Sequence, residues 1–136
     1  MYKRQDERIG KKYLKYGFGF GGPCFPRDNR AFASYASKVG IDHNIGSVTD
    51  AFNEDHATFL KEFFIRKNKK KLPFLFKYLA YKPDTDILTE SQQYRLCMDL
   101  LNEGYIVYSS DFLLKEKSDS RIIFEEPTQE VFEIKL

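Results

Sequence analysis

Residues Gly17–Asp28 read GFGFGGPCFPRD. Gly17, Gly19 and Gly22 spell G-x-G-x-x-G, the spacing of a dinucleotide-binding turn. Such a turn needs a buried strand before it and a helix directly after it, whose N-terminal amides hold the pyrophosphate. Here the preceding KKYLKY makes a poor buried strand. Pro23 and Pro26 flank Cys24 and fix an extended or turned path, so a helix is expected only from about Arg27. No acidic residue ending a second strand follows about 20 residues later, where the pattern is helical. The stretch is therefore read as a loop that serves Cys24. Gly21 and Gly22 remove side chains beside the thiol. Arg27 adds positive charge, and the helix that follows points its amides back at the turn. Such surroundings favour a reactive thiolate. The residues alone also allow a small buried cysteine in a glycine-rich turn, with Asp28 as a plain helix cap.

Working outward, DNRAFASYASKVG (28–40) places Ala31, Phe32, Tyr35, Ala36 and Val39 at helical spacing, with Gly40 as the stop. Asp42 or Asn44 can cap a second helix. Its apolar stripe is Ile45, Val48, Phe52, Phe59 and Phe63, long enough to need a partner, which a second subunit could supply. His43 and His56 lack the i, i+4 spacing of a helical metal pair and read as surface or interface residues. The basic run Arg66–Lys71, RKNKKK, reads as a solvated linker rather than a phosphate patch, since no aromatic residue interleaves it.

Beyond it the pattern changes. LPFLFKYLAY (72–81) reads as a strand and KPDTDILTES (82–91) as turns. A helix follows over about 91–103, capped by Thr89 with Gln92 and stopped by Gly104. Tyr94, Cys97, Met98 and Leu101 form its expected buried face. YIVYSS (105–110) is a second strand, giving a β-α-β unit with a parallel pair. RIIFEE (121–126) is expected as a third strand and EVFEIKL (130–136) as a fourth.

The whole chain has 136 residues, 42% hydrophobic and 31% charged, a balance that supports one ordinary domain or two very small ones. A net charge of +2 is too mild to argue for a nucleic-acid partner. With only two cysteines no disulfide framework is expected, and a reducing, cytoplasmic setting fits best. No apolar run reaches a membrane span, and MYKRQDERIGKK lacks a signal-peptide core.

Three segments carry a family resemblance. DERIGKKYLKYGFGFGGPCFPRDNRAF (6–32) resembles the active-site segment of the UDP-glucose/GDP-mannose dehydrogenases. YKPDTDILTES (81–91) resembles the segment that opens their C-terminal nucleotide-sugar domain. DAFNEDH (50–56) is similar to part of the helix through which they dimerise. The resemblance implies oxidation of the C6 alcohol of a nucleotide sugar, such as a UDP-sugar, to a carboxylate with NAD as cofactor. Cys24 matches the nucleophile and Asp28 the residue that helps activate water. Tyr13, Leu14, Lys15, Tyr16, Gly17 and Gly21 match the loop around the substrate, and Lys82 matches a substrate-binding lysine. Arg27 stands where a lysine near the cofactor is usual.

The fold implied is α+β or α/β. Residues 1–70 would hold the cysteine loop and a helical segment forming a homodimer through about 44–66. Residues 71–136 would form a small, shortened Rossmann-like domain. The chain also departs from the pattern. It has no second glycine loop for an NAD-binding domain, Pro23 replaces the usual serine, and Thr89 stands in place of an arginine. The segment 112–126 is short for the strand-helix unit expected there. The expectation is thus part of a nucleotide-sugar 6-dehydrogenase, inactive alone. The alternative is a non-catalytic nucleotide-sugar-binding or dimerisation module.

Overall fold

A computed structural model describes residues 16–136. Helix α1 (Phe25–Lys38) and helix α2 (Ile45–Lys67) come first, followed by strand β1 (Phe74–Phe76), helix α3 (Gln92–Asn102), strand β2 (Val107–Ser109) and strand β3 (Phe132–Glu133). The strands form one parallel sheet in the order β2-β1-β3. Phe74 pairs with Val107 on one side and Phe132 on the other. The helical segment followed by a small parallel α/β sheet is the architecture expected from the sequence. β1 is central, and its Phe-Leu-Phe run buries Phe74 and Phe76 on one face while Leu75 is half-buried on the other.

Each helix boundary has a local cause. α1 starts at Phe25, earlier than the prolines suggested. Pro26 sits in its first turn, where backbone N–H groups have no intrahelical partner and the fixed φ of proline already suits a helix. α1 ends in a Schellman turn: Gly40 donates to Ser37 O at 3.0 Å and Ile41 to Ala36 O at 2.9 Å, with Gly40 at φ 82°. α2 is capped by Asn44, whose Oδ1 accepts from Ser47 N. α3 is capped not by Thr89 but by Ser91, because Glu90 takes a left-handed φ of 53° and Ser91 is extended. Ser91 Oγ accepts from Tyr94 N at 3.2 Å and donates to Leu79 O at 2.6 Å.

The core joins α2 to the sheet. Leu60 and Phe64 of α2 pack with Phe74, Phe76, Leu100 and Val107. The buried face of α3 is Leu96, Cys97 and Leu100. Tyr94, Met98 and Leu101 are only half-buried, so the expected face was rotated. Tyr94 uses its hydroxyl to accept from Asp119 N. The expected third strand at 121–126 contributes a single parallel bridge, Tyr108 to Ile123, and it is EVFEIKL that supplies β3.

The basic run is exposed apart from Asn68, and its second half forms the connection from α2 to β1. Arg66 and Lys67 complete α2, and the buried Asn68 staples a tight turn by accepting from Leu72 N and donating to Leu72 O. Lys70 pairs with Glu130 at 2.8 Å.

The N-terminal part of the stripe read as the apolar face of α2 is uncovered in this chain, whereas Phe63 packs against the core. Ile45, Val48 and Phe52 are 75%, 65% and 72% exposed, while Gly46, Asn53, Ala57, Leu60 and Phe64 point inward. α2 therefore has a second, unpartnered apolar face, continued on α1 by Phe32, which meets Gly46. No described helix is long and apolar enough to cross a membrane.

Ser91 caps α3 and also bonds the Leu79 carbonyl, so its hydroxyl does two jobs. Ser91→Ala should cost about 2 kcal/mol in urea unfolding, combining a lost cap with an orphaned Leu79 carbonyl. A loss near zero would contradict this account of the α3 start.

Candidate functional site

The site is built on a stretch without regular structure, residues 16–24, lying between α2 and the segment that follows β1. Irregular backbone leaves carbonyls and amides that must find partners. On one side α2 provides them. The buried Asn53 donates its Nδ2 to Phe20 O at 3.0 Å. His56 Nε2 lies 2.9 Å from Gly17 O. A carbonyl only accepts, so that ring nitrogen carries the proton. Tyr16 meets the His56 ring edge-on at 6.1 Å, and His56 stacks on Phe59.

On the other side the loop meets the segment 77–91, which the sheet holds rigidly. The buried carboxylate of Asp111, just past β2, accepts from Leu79 N at 2.8 Å and Ala80 N at 3.3 Å. Ser91 takes the Leu79 carbonyl. Tyr81 N donates to Ile87 O, and Lys117 pairs with Asp86. Against this frame the glycines are required for close approach. A Cβ on Gly21 would collide with the Glu90 carbonyl oxygen. One on Gly22, which has φ 86°, would stand 2.6 Å from the Tyr81 ring.

Cys24 sits at the N-cap of α1, exposed, and its side chain makes no capping hydrogen bond. The thiol is therefore held at a helix N-terminus without being spent on structure. Asp28 lies one turn on and its N–H donates to Cys24 O at 2.9 Å. Its carboxylate pairs with Arg27 Nε at 2.8 Å, which holds the guanidinium still more firmly protonated. Arg27 thus answers first to Asp28. Lys82 is exposed, its Nζ 5.7 Å from the Tyr81 ring centroid. Gly17 and Gly21 lie in the clamped loop, whereas Tyr13, Leu14 and Lys15 fall outside the described residues. Cys97 is fully buried beside the sheet, and burial pushes its thiol up to about 12.

The glycine loop does not form a dinucleotide cradle. The space in front of Gly21 and Gly22 is filled by the chain's own Glu90 carbonyl and Tyr81 ring, so a pyrophosphate could not approach the backbone there. Sequence reading missed Asn53, His56, Tyr81 and Glu90 as loop partners. The available signal was Asn53 and His56, three apart on one helix face.

Residues 2–55 match the family model described as "UDP-glucose/GDP-mannose dehydrogenase family, central domain". The chain carries the central-domain segment of that family. It is 34% identical over 110 residues to UDP-glucose 6-dehydrogenase of Pseudomonas aeruginosa, covering 78% of this chain and 24% of the relative. It is 32% identical over 120 residues to UDP-glucose 6-dehydrogenase AglM of Haloferax volcanii, covering 85% and 27%. Among solved structures it resembles a UDP-glucose dehydrogenase from Pyrobaculum islandicum, with a TM-score of 0.71, 28% identity and coverage of 90% of this chain and 30% of the other. It also resembles a GDP-mannose dehydrogenase from Pseudomonas aeruginosa, with a TM-score of 0.65, 27% identity and coverage of 77% and 24%. The chain spans about a quarter of the length of the curated relatives it matches.

The contrast between the cysteines in this dehydrogenase-family segment can be measured. Iodoacetamide should modify the folded chain once, at Cys24, and reach Cys97 only after denaturation. Equal labelling of both thiols in the folded chain would contradict the placement of either one.

Proposed function

We propose that this chain forms the thiol-bearing part of an NAD-dependent nucleotide-sugar 6-dehydrogenase, acting in the cytoplasm. The observation that carries the proposal is an exposed, uncommitted Cys24 at a helix N-terminus, on a loop clamped from both sides.

Cys24 Sγ adds to the aldehyde carbon at C6, forming a C–S bond while the carbonyl oxygen takes a proton. After oxidation the same sulfur carries a thioester. Water attacks that carbon, the C–S bond breaks, and the carboxylate and thiol are released. Asp28, one helical turn from Cys24, takes the proton from the attacking water. Oxidation is the contribution of NAD in the family, and the cofactor's cradle is not among the described residues. Arg27 offers an exposed cation to the cofactor held elsewhere.

On the substrate side, the family resemblance gives Tyr16, Gly17 and Gly21, with Tyr13, Leu14 and Lys15, a part in holding the nucleotide sugar. Lys82, carried beside Tyr81, offers a cation to the anionic nucleotide sugar. A UDP-sugar is the substrate the family names favour. The uncovered face of Ile45, Val48 and Phe52 supports pairing of α2 with a second copy of the chain, since an apolar patch of this kind marks an interface.

Mixing the chain with a separately expressed NAD-binding domain and a UDP-sugar should produce NADH, and Cys24→Ser should abolish it. No NADH, or NADH independent of Cys24, would overturn the catalytic reading. Heat on titrating UDP-glucose into the catalytically silent mixture would favour a binding module instead. In sedimentation the chain should run as a dimer and Phe52→Glu as a monomer. A monomeric parent would refute the pairing.

A further inference from the structure

The loop and α1 are joined to the second half of the chain by one charged network that the chemistry above does not use. Arg30, six residues after Cys24, reaches two ways. Its Nε donates to Asp50 Oδ2 on α2 at 3.1 Å. Its Nη1 and Nη2 form a fork on Glu90, at 2.7 Å to Oε1 and 3.3 Å to Oε2. The two carboxylates hold the guanidinium firmly protonated. Asp50 Oδ1 is buried with no partner among the described residues, which leaves Arg30 as the charge that balances this carboxylate.

Glu90 is an unusual residue to grip. Its backbone has a left-handed φ of 53°, a conformation that a side chain other than glycine holds only when its surroundings fix it. Its carbonyl oxygen is the group that abuts Gly21. The same residue therefore receives Arg30 on its side chain and presses the Cys24 loop with its backbone. A bidentate pair fixes orientation as well as distance, which a lysine could not do.

We propose that Arg30 is a positioning residue: through its fork on Glu90 it sets the backbone of residue 90 against Gly21 and so fixes where the Cys24 thiol stands relative to Tyr81 and Lys82. The consequence for catalysis rests on the function proposed above, but the positioning itself does not.

A nitroxide attached to Cys24 through a methanethiosulfonate reports this directly, with Cys97 buried and unlabelled. Glu90→Ala removes the fork and leaves the Arg30–Asp50 pair intact. It should give a clear, several-fold gain in label mobility with the thermal midpoint little changed. Arg30→Lys, which keeps the charge but not the fork, should give an intermediate spectrum. Glu103→Ala breaks a different bridge, Lys61–Glu103 at 3.2 Å, far along α2, and should leave the label as in the parent. If Glu90→Ala destabilises the fold, Glu90→Gln gives the reading, with a smaller gain expected. An unchanged spectrum in the Glu90 variants, or equal loosening in Glu103→Ala, would overturn the proposal. Because no turnover is read, this result stands apart from any failure of the dehydrogenase reading.

Discussion

The hydrogen bond from the buried Asn53 amide to the Phe20 carbonyl is the contact on which the site depends. A glycine-rich stretch has the largest conformational entropy to lose. Phe18 packs against the core and Phe20 meets Phe25, but the backbone groups between them need partners from other elements. α2 does this at its middle with Asn53 and His56, while its C-terminal half, through Leu60 and Phe64, closes the core over the sheet. One 23-residue helix therefore couples the order of the thiol loop to the burial of the sheet. The opposite wall, Tyr81 and Glu90, is fixed in turn by Asp111 and Ser91.

This arrangement separates rigidity from commitment. The loop backbone is held on both sides, yet the thiol at its end has no structural duty. Positioning a nucleophile without consuming its reactive atom is what covalent catalysis asks of a protein. Cys97 shows the converse, a thiol spent entirely on packing. The apolar outer face of α2 adds a second economy: the inward side orders the loop, and the outward side is free to meet another copy.

Much of this could be read from the residues. The two helices and the parallel pair joined by α3 follow from periodicity and from Gly40 and Gly104 as stops, whereas Gly21 and Gly22, expected to clear space beside Cys24, face the Glu90 carbonyl and the Tyr81 ring. The misreadings have physical reasons. Pro26 reads as a breaker, although proline in a first turn forfeits a hydrogen bond that would not form anyway. Thr89 and Gln92 have capping spacing, but the left-handed Glu90 between them moves the cap to Ser91. By contrast, the stripe through Ile45, Val48 and Phe52 reads as a face in need of a partner, and it is uncovered in this chain. RIIFEE and EVFEIKL have similar composition, and only hydrogen bonding of Phe132 and Ile134 to Pro73 and Leu75 decides which one joins β1. Tertiary partners such as Arg30 with Glu90, 60 residues apart, leave no local signature.

The account stands or falls on whether the loop is ordered by its two walls. Backbone ¹⁵N relaxation over Phe18–Gly22 tests this most directly. The account predicts order parameters of about 0.85 in the parent chain, like the helices, falling below about 0.6 in Asn53→Ala while β1 stays rigid. Values already below about 0.6 in the parent, or unchanged on removing the Asn53 amide, would contradict it.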